Sequence, residues 1–91
     1  MVVARHYVIR GRVQGVGFRF YTEDAAHREG LSGYVRNTYD GGVEARVEGE
    51  QEAVERFERA IRRGPPAARV ESCEVTDLAP TGRVTGFMVR G

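Results

Sequence analysis

The chain has 91 residues, 41% of them hydrophobic, and its 14 basic side chains against 13 acidic ones leave a formal charge of +1. That length supports one domain over residues 1–91 with a small core, and the balanced charge gives no general attraction to nucleic acid. With no apolar run suited to a membrane span, no apolar leader with a cleavage site, and a lone Cys73 lacking an internal partner, the expected location is the cytoplasm.

Tyr7, Ile9, Gly11 and Val13 alternate with His6, Val8, Arg10 and Arg12, which predicts a strand with its odd positions toward the core. Residues 14–17 break the alternation with two glycines. From about Phe20 to Glu29 the residues favour helix, with Phe18, Thr22, Ala25, Ala26 and Glu29 on the inner face and Gly30 as a stop. Leu31, Gly33, Val35 and Asn37 read as a second strand. Val43, Ala45 and Val47 read as a third, with Glu44, Arg46 and Glu48 pointing outward. Asp40, Gly41 and Gly42 supply a hairpin turn, so these two strands are expected to be antiparallel neighbours.

Ala53, Val54, Phe57, Ala60 and Ile61 then recur at helical spacing. Glu50 and Glu52 at the start of that helix and Arg59, Arg62 and Arg63 at its end suit the helix dipole, and Gly64-Pro65-Pro66 stops it. A fourth strand from Val70 to Thr76 directs Cys73 and Val75 inward. A short last strand from Val84 to Arg90 buries Phe87 and Val89. The order β-α-β-β-α-β, plus a C-terminal strand, predicts an α+β ferredoxin-like sandwich with two helices on one face of an antiparallel sheet.

Chemistry concentrates in Gly11-Arg12-Val13-Gln14-Gly15-Val16-Gly17-Phe18-Arg19. A loop entering a helix N-terminus presents unpaired N–H groups at the positive end of the dipole, and glycines let that backbone curl into an anion-binding concavity. Arg19 would add a planar fork able to grip two phosphate oxygens. The same residues also suit an ordinary strand-to-helix turn beside a solvated arginine. A Walker loop is excluded, because the chain has no lysine. Asn37, the single asparagine, shares the parity of Val35 and so faces the helix-covered side near the hairpin. There its neutral amide suits donating to a phosphate, positioning a water or capping the turn.

The segments GRVQGVGFRFYTEDA and LSGYVRNT together resemble the acylphosphatase family. Gly11, Val13, Gln14, Gly15, Val16, Phe18 and Arg19 match its first motif, and Gly33, Val35 and Asn37 match its second. The resemblance implies hydrolysis of an acyl phosphate to a carboxylate and inorganic phosphate. It also implies that Arg19 binds the phosphate together with the backbone of Gln14, Gly15, Val16, Gly17, Phe18 and Arg19, while Asn37 orients the attacking water. No cofactor or metal is expected, and the chain is expected to work as a monomer on a small molecule, away from nucleic acid and membrane. Cys73 reads as an inert inward thiol, and His6 and His27 as surface residues. The competing readings are an RNA-recognition module of the same element order, a non-catalytic phosphate sensor, and a domain serving a larger carbamoyl-transferring protein.

Overall fold

The computed structural model describes residues 1–91. Its seven elements are β1 (Val2–Arg12), α1 (Phe18–Arg28), β2 (Ser32–Asn37), β3 (Val43–Glu50), α2 (Gln51–Arg63), β4 (Arg69–Leu78) and β5 (Phe87–Arg90). The expected sandwich is present: both helices cover one face of a five-stranded sheet in the order β4-β1-β3-β2-β5. The sheet is mixed, however, because β5 runs parallel to β2 while every other pairing is antiparallel. Local pattern cannot set that direction. It follows from residues 79–86, which carry the chain from the β4 edge to the opposite edge before β5 begins.

Odd positions of β1 and β3 point under the helices as predicted. Tyr7, Ile9, Val43, Ala45 and Val47 are all buried there, together with Val35 of β2. Phe18, Thr22, Ala25 and Ala26 of α1 and Ala53, Val54, Phe57 and Ile61 of α2 close the core from above. The Phe57 ring lies between Tyr7 and Phe87, at 5.7 and 6.2 Å. Near this layer, the Tyr7 hydroxyl and the Arg5 guanidinium both donate to Glu58 of α2, at 3.2 and 3.1 Å. Burial and the neighbouring Glu58 carboxylate raise the Tyr7 pKa, so the phenol stays a donor.

Three residues depart from their expected burial. Val75 has the inward parity of Cys73, but it is 36% exposed, because β4 is the sheet edge and the helices do not reach across it. Cys73 is half-buried rather than sealed, and burial pushes its thiol pKa up. Glu48 departs the other way. It lies on the open face yet is buried, because the connection from β4 to β5 crosses over it. Its carboxylate accepts the Thr81 N–H at 2.9 Å, the Thr81 hydroxyl at 3.0 Å and the Gly82 N–H at 2.7 Å. Those donors, the Thr81 amide foremost, hold its pKa below the ordinary carboxylate range against the opposing effect of burial.

Strand direction also fixes what meets at one end of the sheet. β1 and β2 are both antiparallel to β3, and β5 is parallel to β2, so all three point the same way. The loop after β1, Asn37 at the end of β2 and Arg90 at the end of β5 therefore gather at one end. There the β1–β4 register slips at Arg10 and Gly11, a bulge that re-aims the outgoing chain. A Cβ on Gly11 would sit 2.1 Å from the Arg69 carbonyl oxygen, so only glycine fits this crossing.

Candidate active site

The loop between β1 and α1 alternates anchors with glycines. Val16 packs against the core and Phe18 is buried within it, the latter 6.1 Å from the Tyr21 ring. Gly15 and Gly17 take φ of 72° and 76°, left-handed values that L side chains resist, and no atom lies within 4 Å of a Cβ built on either. Helix α1 thus starts two residues before Phe20, with Gly17 rather than a side chain at its N-cap. The first helical amide to find a carbonyl is that of Tyr21, on Gly17 at 3.0 Å. The N–H groups of residues 15–20 donate to no protein acceptor. No acidic side chain occupies the first turn of α1 to compete with an incoming anion.

Arg19 and Asn37 line the same cavity of about 110 Å³, together with Val13, Gly15, Gly17, Phe18 and Phe20. At about 30 Å³ for each liquid water, this space, which is open to solvent on one side, has room for a tetrahedral oxyanion and a water. The Arg19 guanidinium also donates through Nη1 to the Arg90 carbonyl at 3.1 Å, which ties it to the end of β5. Asn37 makes no side-chain hydrogen bond to protein, so its carboxamide remains available to the cavity. The turn-capping duty falls on its neighbour: the Thr38 hydroxyl accepts the Gly42 N–H at 2.9 Å and donates to Asp40. That hydroxyl, with the Arg10 guanidinium, holds the Asp40 pKa down to about 2.

Gln14 stands apart from the other loop residues. Its side-chain amide turns from the cavity and donates to the carbonyls of Thr38, at 2.6 Å, and Gly42, at 2.8 Å. It straps the loop to the hairpin that carries Asn37. Sequence reasoning missed this strut, the Thr38 cap, the Arg90 carbonyl behind Arg19 and the place of Phe20 on the cavity wall. The Gln14 and Arg90 contacts span 24 or more residues and Phe20 is a rim position, so none of these leaves a local pattern. The Thr38 cap is local, within the Asp40-Gly41-Gly42 hairpin, and a hydroxyl two residues before Asp40 could have signalled it. Neither histidine lines the cavity. His6 pairs with Glu44 on the open face at 2.6 Å, and the His27 ring lies 3.3 Å from the Phe87 carbonyl.

Fold and cavity together define a ferredoxin-like domain with a candidate oxyanion site at one end of its sheet. The acylphosphatase family model matches residues 5–89. An acylphosphatase of Pseudomonas paraeruginosa is 50% identical over 88 residues, covering 97% of this chain and 96% of that protein. The crystal structure of acylphosphatase from Bacillus subtilis superposes with a TM-score of 0.93 at 33% identity, covering each chain fully. HypF of T. kodakarensis contains a similar unit, with a TM-score of 0.84 at 37% identity over 98% of this chain but 12% of that one. The chain belongs to the acylphosphatase family, whose members are hydrolases acting on acid anhydrides. No helix is long and apolar enough to cross a membrane.

Proposed function

We propose that this chain, as a single domain over residues 1–91, hydrolyses the carboxyl–phosphate bond of small acyl phosphates. It would work as a monomer in the cytoplasm, where its lone thiol needs no partner. One observation carries the reading: a single small cavity is lined by Gly15, Gly17, Arg19 and Asn37, with a run of unpaired amides at its wall. The amides and the Arg19 guanidinium hold the phosphoryl oxygens, so negative charge meets fixed donors that need not reorganise as the bond breaks. Asn37 orients a water toward phosphorus, opposite the departing carboxylate. The P–O bond to the acyl group breaks with its electrons leaving on the carboxylate, a new P–O bond forms from water, and the water proton passes to a phosphate oxygen. A carboxylate departs readily, so the site requires positioning and charge stabilisation more than a strong general acid.

Two rivals have less support. A nucleic-acid module would stack bases on the open face of the sheet. Here Glu44 engages His6 and Arg36, Arg46 lies 3.6 Å from Glu48, and the Arg90 guanidinium covers the Tyr34 ring at 4.1 Å. A phosphate sensor would bind without turnover. Steady-state hydrolysis of benzoyl phosphate by wild type, Arg19→Ala and Asn37→Ala separates the cases. Hydrolysis is expected for wild type, with binding and turnover both lost in Arg19→Ala. Asn37→Ala should lower kcat about 10²-fold or more while inhibition by inorganic phosphate persists. Phosphate binding without any wild-type turnover would establish the sensor. Loss of phosphate inhibition with kcat intact in Asn37→Ala would overturn the water-positioning role.

A further inference from the structure

The cavity is small and open on one side, so a phosphoryl group held by the loop amides and Arg19 leaves the acyl group to extend over the rim. Of the seven lining residues, Val13 and Phe18 are buried in the core, Gly15 and Gly17 have no side chains, and Arg19 and Asn37 are polar. That leaves Phe20. Phe20 lines the same cavity and is nevertheless 63% exposed, although three of its helical neighbours, Phe18, Thr22 and Ala25, are buried. The inward stripe of α1 passes it by, and it forms none of the aromatic ring pairs of the fold. An exposed large aromatic at the lip of a polar cavity has apolar surface to bury only when something apolar is bound there.

We infer that Phe20 is the acyl-recognition residue: its ring is the platform on which the acyl group of the substrate packs, and it directs the enzyme toward acyl phosphates with an apolar, preferably aromatic, acyl group. This rests on the reading of the cavity as an acyl-phosphate site. The phosphate contacts are common to every acyl phosphate, so discrimination between them has to come from the rim. Covering roughly 40–50 Å² of the ring by a flat acyl group changes relative kcat/KM about fivefold to tenfold.

The test compares acetyl, butyryl and benzoyl phosphate as substrates of wild type, Phe20→Ala and Phe20→Leu. Wild type is expected to prefer the larger acyl groups. Phe20→Ala should lower the benzoyl-to-acetyl ratio of kcat/KM about fivefold to tenfold, and Phe20→Leu should fall between them. The inhibition constant of inorganic phosphate should move far less than this ratio in either variant, because the loop amides and Arg19, which hold the oxygens, are kept in both. Position 20 is exposed in the first helical turn and both replacements are better helix formers than phenylalanine, so the fold is expected to survive. A ratio unchanged within about twofold, or one that shifts in step with phosphate inhibition, would overturn the role of Phe20. Absence of wild-type turnover on all three substrates would bring down the hydrolytic reading itself, a different result from active variants with an unaltered preference.

Discussion

Replacing Gln14 with alanine tests how the loop is held against the strand that carries Asn37. The Gln14 amide donates at 2.6 Å to Thr38 and at 2.8 Å to Gly42. Each of those carbonyls keeps a second donor: the Gly41 N–H reaches Thr38 at 3.3 Å, and the Thr38 N–H reaches Gly42 at 2.9 Å. Truncation therefore removes two net hydrogen bonds but orphans neither acceptor. The loss is about 1 kcal/mol for each bond, about 2 kcal/mol together, without the larger penalty of a stranded polar group. In a domain of this size that lowers Tm by roughly 8–16 °C. The amides and Arg19 stay in place, so inhibition by inorganic phosphate should change little. The strand bearing Asn37 loses its tie to the loop, and kcat should fall about 10- to 100-fold as the water drifts from line. Gln14→Glu should be worse, since a carboxylate would face two carbonyl oxygens with nothing to donate. Thermal melts and steady-state kinetics read both effects. A Gln14→Ala protein melting within about 2 °C of wild type with unchanged kcat would refute the strut.

Arg19→Lys replaces the fork with a point charge, so phosphate affinity and kcat should each drop steeply, kcat by about 10²-fold or more, with little change in Tm. Gly17→Ala has open space for its methyl group, so its cost is purely that of a left-handed backbone, about 1–2 kcal/mol, and Gly17→Asn should recover part of it in a melt. The Glu48 carboxylate has a lowered folded pKa, so its contribution is present above the ordinary carboxylate pKa and is lost as pH falls through the folded value. The Tm gap between wild type and Glu48→Gln should accordingly be wide near about pH 6 and shrink toward about pH 3; a gap constant across that range would disprove the linkage.

The core was readable because burial repeats along the chain. Tyr7 and Ile9 in a strand, or Phe57 and Ile61 in a helix, reveal their inward side through the two periods, and both sets are buried as their parity requires. Edges were less readable. Val75 follows the inward parity yet stays exposed, since parity states which face a residue takes and not whether anything covers that face. Glu48 shows the converse: an outward acid is buried because a connection more than 30 residues away in sequence folds over it and supplies its donors.

For the candidate site, the residue types and their place in the chain were legible from one strand-to-helix turn and one strand end, because glycine curvature and a forked cation are local properties. Their convergence was not. That Arg19 and Asn37 share a cavity follows from three strands pointing the same way, and that direction depends on sheet pairings formed between distant segments. The same pairings give Gln14 its two carbonyls, Arg19 its Arg90 support and Phe20 its rim. Short-range chemistry selects which groups are available, while long-range strand pairing sets the few ångströms between them, and hydrolysis depends on those distances.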